Sequence, residues 1–171
     1  MSDSPIIEVQ HITKRFKGLT AVKDVSFSIK EGAITGMIGP NGAGKSTTFN
    51  IICGYYPPTE GQIFFRGQDI TSKKAHEYTN MKIARTFQIM KPLKNLSVLE
   101  NVVASAYFGH AAAKNEREAK EKAMEVLQFT GLYEKRHVIS KDMGTPDQKR
   151  LEMARALVTS PELLFLDENM A

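Results

Sequence analysis

The sequence predicts an α/β fold with a helical insertion. Three observations carry this: apolar runs of strand length separated by turns near the N-terminus, a glycine-rich loop running into a helix, and a helix-rich middle that gives way to a last apolar strand. Ile6 to Ile12 alternates loosely, as a half-buried strand does. Val25, Phe27 and Ile29 alternate with Ser26 and Ser28 and stop at Gly32, giving a second strand. Ala33 to Ile38 is more uniformly apolar and reads as a third, more buried strand. A helix is expected from Lys45 to Cys53, with Gly54 just past its end. Pro57, Pro58 and Gly61 read as a turn, and Gln62 to Arg66 as another strand closed by Gly67.

From Ser97 onward the pattern is helical. Ser97 followed by Glu100 is a capping-box spacing. Asn115 to Phe129 is rich in Ala, Glu and Lys, with Ala119, Ala123, Val126 and Leu127 on one apolar stripe, and Gly131 ends it. A third helix is expected from Gln148 to Thr159, stopped before Pro161. Leu163 to Leu166 is a short apolar strand that ends in Asp167 and Glu168.

Composition narrows the function. The chain has 171 residues, 42% hydrophobic and 25% charged, an ordinary globular balance. Its net charge of +4 is spread out: Lys114, Glu116, Arg117, Glu118, Lys120, Glu121 and Lys122 alternate in sign as a solvated helix face does. A basic stripe suited to nucleic acid is missing from the pattern, so no nucleic-acid partner is expected. The single cysteine, Cys53, cannot form an internal disulfide and fits a reducing compartment. The opening MSDSPIIEVQ lacks a signal-peptide pattern, and no apolar run reaches membrane-spanning length. A membrane role is therefore expected to come through a partner.

Gly39 to Ser46 matches G-x-x-x-x-G-K-[ST] without a mismatch, with strand pattern before it and helix pattern after it. Such a P-loop has specific physical demands. Gly39, Gly42 and Gly44 allow tight turning and inward-pointing N–H groups where a side chain would block phosphate. The helix start aims its positive dipole end at the anion. The Lys45 ammonium reaches β- and γ-phosphates, and the Ser46 hydroxyl ligates magnesium. An apolar strand ending in acid supplies the second part. Asp167 is the candidate magnesium-side carboxylate, and Glu168 the candidate group that polarises an attacking water. ATP and Mg2+ are the expected ligands.

These motifs resemble the nucleotide-binding subunit of ATP-binding cassette (ABC) transporters over the whole chain. Gly39-Pro40-Asn41-Gly42-Ala43-Gly44-Lys45-Ser46-Thr47 is that family's usual loop, and Leu163 to Glu168 resembles its magnesium strand, with the catalytic glutamate after the aspartate. Ala84-Arg85-Thr86-Phe87-Gln88 resembles the Q-loop, which implies that Gln88 touches magnesium and water and couples to the membrane subunit. Phe16 matches the aromatic position that stacks on adenine, although the residues alone fit a buried strand-end aromatic better. Arg150 to Leu157 resembles the helix after the LSGGQ signature, which places Met143, Gly144, Thr145, Pro146 and Asp147 in the signature itself. There the match departs: Gly144 has no hydroxyl, Pro146 has no N–H, and Asp147 adds a negative charge near phosphate. In the family this element closes on ATP held by the opposite subunit, so weakened contacts are expected. The ARTFQ and NLSVLENV segments, with a Thr-Pro-Asp signature variant, resemble the branch of branched-chain amino-acid importers.

The resemblance implies a P-loop NTPase core with a mixed sheet and N-terminal antiparallel strands. Residues 1–88 and about 148–171 would form the core. Residues 89–147 would form an inserted helical subdomain. It also implies a homodimer or a paired ABC ATPase, integral membrane permease subunits as partners, and a peripheral position on the cytoplasmic face of the cell membrane. Met90, Leu93 and Leu96 are candidates for the permease contact, or for ordinary packing on the Asn115–Phe129 helix. The family's D-loop and switch histidine lie beyond the last residue, and His11, His76, His110 and His137 all precede the magnesium strand. The domain is therefore expected to be incomplete at its C-terminus and to hydrolyse ATP poorly. The alternatives are a truncated, non-catalytic pseudo-ATPase and a soluble ABC ATPase outside transport.

Overall fold

The computed structural model describes residues 5–86 and 92–167 and divides into two compact units, 1–75 and 76–171. In the first unit, strands β1 (Pro5–Phe16) and β2 (Leu19–Lys30) form a long antiparallel hairpin. Strand β3 (Glu60–Phe65) pairs antiparallel with the other edge of β1, and the short β4 (Gln68–Asp69) pairs with β3. The sheet order is β2-β1-β3-β4, so β1 is buried between neighbours and supplies Ile7, Val9 and Ile12 to the core. Helix α1 (Lys45–Ile52) buries Thr48, Ile51 and Ile52.

Both hairpin strands, β1 and β2, run longer than their apolar alternation, because their pairing extends them through polar residues to the turn. Gly61 lies inside β3 at φ 91° rather than in a turn before it. A Cβ there would sit 2.4 Å from the Gln10 carbonyl oxygen, so the bulge in β1 opposite it admits only glycine.

The strand expected at Ala33–Ile38 is not formed. The segment is irregular, with Ile34 104% and Ile38 94% exposed. A β-strand exists through its ladder of hydrogen bonds, and among the described residues no strand pairs with this one. Apolar, β-prone composition is insufficient without that neighbour.

A short helix α2 (Ala75–Tyr78) starts at the last residue of the first unit, and the second unit holds a parallel pair, β5 (Ile83–Arg85) with β6 (Leu163–Phe165). Between them lie helices α3 (Val98–Ala106), α4 (Glu116–Phe129) and α5 (Thr145–Leu157). The apolar stripe works as expected: Ala119, Ala123 and Leu127 are fully buried against Val98, Val102, Leu132 and Leu151. The capping box at Ser97 is present in both directions, and asparagine caps α4 at Asn115. The Ser97 N–H, and then its hydroxyl, hold the Glu100 carboxyl below the usual range. Helix α5 starts three residues before the expected Gln148, at Thr145. Pro146 falls in its first turn, where a missing N–H costs nothing and a fixed φ suits the helix.

A buried asparagine organises the entry to α3. Asn101 is fully buried; its side-chain NH2 donates to the carbonyls of Leu93, Leu96 and Ser97, and its Oδ1 accepts the Leu93 N–H at 2.8 Å. The Ser140 hydroxyl donates to the Leu93 carbonyl as well. This pins the 93–97 segment: Leu93 stays exposed and Leu96 half-buried, while Met90 lies outside the described residues. Replacing Asn101 by Leu removes the acceptor of the Leu93 N–H and one donor from each of the three carbonyls. It is expected to cost about 1–3 kcal/mol of stability, read as a lower urea midpoint; an unchanged midpoint would contradict the role.

Candidate functional site

The loop from Gly39 to Thr47 is shaped by two left-handed glycines. Gly42 has φ 81° and Gly44, the N-cap of α1, has φ 82°. A Cβ on Gly44 would lie 2.6 Å from the Ala21 carbonyl oxygen of β2, so backbone approaches backbone here and only glycine fits. Gly39 is different: a Cβ there would meet nothing closer than 3.7 Å, so its glycine is not required by the loop's own packing.

The Lys45 ammonium folds back over the loop. It donates to the Gly39 carbonyl at 2.6 Å and to the Pro40 carbonyl at 2.8 Å. The loop closes on itself as well, with the Ala43 N–H directed at the Pro40 carbonyl at 3.3 Å. The first turn of α1 contains no acidic side chain. A cation and a helix dipole thus face the same loop, an arrangement that favours an anion. Pro40, Asn41, Gly42, Ala43 and Ser46 are exposed, and Thr47 is half-buried. Phe16 also belongs to this unit. It is not a buried strand-end residue but sits 39% exposed at the tip of the β1–β2 hairpin.

In the second unit, Asp167 follows β6. Its carboxylate accepts a hydrogen bond from the Arg85 guanidinium at 2.8 Å, and its N–H is directed at the Thr86 hydroxyl at 3.3 Å. Both charged side chains are largely covered, Arg85 at 14% and Asp167 at 21% exposure. Parallel pairing brings them together, because Arg85 lies opposite Phe165, two residues before Asp167. Sequence reading used Arg85 only as part of a motif; its ion pair depends on the β5–β6 register. Gln88 and Glu168 lie outside the described residues.

The Met143–Asp147 segment forms the start of α5. Met143 is buried, Gly144 is the N-cap, and Thr145 and Pro146 are exposed. Asp147 does not stand as a bare charge. Its carboxylate pairs with the Lys135 ammonium, and Arg150 approaches it at 3.5 Å. The repulsion of phosphate expected from Asp147 is therefore offset within the unit, by a lysine that no motif pointed to. Gln148, the next residue, bonds through Nε2 to the Met143 carbonyl at 3.0 Å and fixes the turn.

The Gly44 geometry has a direct test. Gly44→Ala meets both a backbone collision and an unfavourable φ. It is expected to destabilise the chain by about 1–3 kcal/mol, whereas Gly39→Ala should leave the midpoint of thermal unfolding near that of the unaltered chain.

Comparison with known proteins places this geometry. The family model described as ABC transporter matches residues 22–171. A curated relative from Archaeoglobus fulgidus, named probable branched-chain amino acid transport ATP-binding protein LivG, is 39% identical over 97% of this chain and 68% of its own length. The ADP conformation of MJ1267, an ATP-binding cassette of an ABC transporter, superposes with a TM-score of 0.87 at 34% identity over 98% of this chain and 70% of that one. The dimeric structure of MJ0796, a bacterial ABC transporter cassette, gives 0.84 at 30% identity over 95% and 74%. With a family match over most of its length and a whole-chain likeness to solved cassettes, the chain belongs to the ABC transporter family, as an ATP-binding cassette of the P-loop α/β class.

Proposed function

We propose that this chain binds MgATP at the Gly39–Thr47 loop and couples ATP hydrolysis to solute import as the ATP-binding subunit of a branched-chain amino-acid transporter. One observation carries the nucleotide reading: the Lys45 ammonium spans the Gly39 and Pro40 carbonyls over two left-handed glycines. Those carbonyls hold the cation where an anion would sit. A polyphosphate brings formal negative charge and displaces them, since a charge-assisted bond is stronger than a neutral one. The loop N–H groups and the α1 dipole add to that attraction. The solute assignment rests on the likeness to the Archaeoglobus fulgidus branched-chain amino acid transport protein, together with the motif resemblance.

As the family resemblance implies, Ser46, Gln88 and Asp167 would each supply an oxygen donor suited to a hard cation such as Mg2+. The metal, when bound, neutralises charge developing on the transferred phosphoryl group. Glu168 orients and deprotonates the attacking water, and Gln88 links the site to the permease. The Met143–Asp147 turn of a second cassette closes over the nucleotide, as the family resemblance implies; the dimeric form of the MJ0796 cassette supports pairing of two cassettes. Among the described residues no helix is long and apolar enough to cross a membrane. In this reading the cassette binds peripherally, at the cytoplasmic face, through permease subunits.

Lys45→Ala is the direct test. Calorimetric titration of MgATP is expected to show binding weakened at least about tenfold with unfolding unchanged. Equal affinity in the two proteins would remove the nucleotide reading.

A further inference from the structure

The tip of the β1–β2 hairpin carries an aromatic cluster. Lys17 (φ 42°) and Gly18 (φ 92°) are both left-handed and turn the chain so that Phe16 pairs with Leu19. Tyr56 arrives from the segment after α1. That segment is tied to β1 by several bonds: the Thr59 N–H donates to the Thr13 carbonyl at 2.8 Å, the Arg15 N–H to the Thr59 hydroxyl at 3.1 Å, and the Lys14 ammonium to the Pro57 carbonyl at 2.5 Å. The Phe16 and Tyr56 rings meet edge to face, with centroids 5.5 Å apart and planes at 83°. The Lys14 ammonium lies over both rings, 5.1 Å from the Phe16 centroid and 5.9 Å from that of Tyr56. Edge-to-face pairing and a cation over the ring are each attractive, and here they act on the same ring. Both aromatics nevertheless remain exposed, Phe16 at 39% and Tyr56 at 41%.

The cluster hangs from the same strand as the phosphate cradle. Gly44 abuts the Ala21 carbonyl, and Ala21 is two residues along β2 from Leu19, the partner of Phe16. That is roughly 7 Å of strand, within the span of one nucleoside triphosphate.

We propose that Tyr56, with Lys14, is a positioning residue for base recognition: the pair braces the Phe16 ring while leaving it exposed to a flat purine. This rests on the nucleotide reading above and adds a residue to it. A lone phenylalanine on a two-residue turn samples several rotamers, and stacking must then order it. A braced ring is already placed. The brace acts on the base alone, whereas the Gly39–Thr47 loop acts on the triphosphate alone, so the two contributions separate cleanly.

The experiment is calorimetric titration of the full chain with MgATP and with magnesium tripolyphosphate, which has no base. Tyr56→Leu keeps apolar bulk and removes the ring; it is expected to weaken MgATP about three- to tenfold and to leave tripolyphosphate unchanged. Tyr56→Phe is expected to bind both as the unaltered chain does, because the ring and not the hydroxyl makes the contact. Unchanged MgATP affinity in Tyr56→Leu would overturn the proposal, as would equal losses for both ligands, which would mark a distorted loop. Failure of the unaltered chain to bind either ligand would sink the nucleotide reading and this one with it. Normal binding of both, with no effect of Tyr56→Leu, would sink this one alone.

Discussion

A lysine ammonium at the start of a helix needs oxygen around it at all times. In this fold Lys45 finds that oxygen in the carbonyls of Gly39 and Pro40. The helix end beside it is also electropositive and has no acidic residue to offset it. Folding the loop over the cation satisfies the charge without a side-chain carboxylate. Such a carboxylate would make a stronger pair and would be harder for phosphate to displace. A weak internal partner is what lets the site be stable when empty and still attractive to an anion.

That loop depends in turn on the β1–β2 hairpin. The start of α1 can lie this close to β2 only because residue 44 is glycine: the Ala21 carbonyl comes within 2.6 Å of where a side chain would begin. The far end of α1 leads to the 55–59 segment, which is bonded to β1 at Thr13, Lys14 and Arg15. Both ends of the helix are therefore fastened to one rigid ribbon. A strand-built scaffold holds its attachments more exactly placed than a loop does, which is what a phosphate cradle requires. Exposed aromatics at the ribbon tip share that rigidity.

The second unit manages its charges by pairing. Arg85 with Asp167, and Lys135 with Asp147, each place a cation beside an acid that a motif had singled out. Largely covered carboxylates left alone would incur a desolvation penalty, so each has a partner. For Asp147 the consequence reaches function. The Asp147 carboxylate, where the resembled signature has glutamine, is paired with Lys135 and approached by Arg150, which offsets its charge locally.

The local sequence was sufficient for much of this. Glycines at 42 and 44 with a lysine at 45 before a helix were legible as a tightly turned loop, and both glycines are left-handed as that loop requires. The capping box at Ser97 and the stripe Ala119, Ala123 and Leu127 were also legible, since caps and 3.6-residue periodicity are local. Tertiary structure decided what depends on neighbours distant along the chain. Ala33–Ile38 has strand composition but no partner among the described residues, so it forms no strand. The role of Asn101 comes from the three carbonyls that surround its side chain, which no local pattern marks. Arg85 beside Asp167, Lys135 beside Asp147 and Tyr56 against Phe16 are contacts across 82, 12 and 40 positions of sequence. No short-range pattern encodes these pairs, because register and packing, which bring them together, are properties of the folded chain.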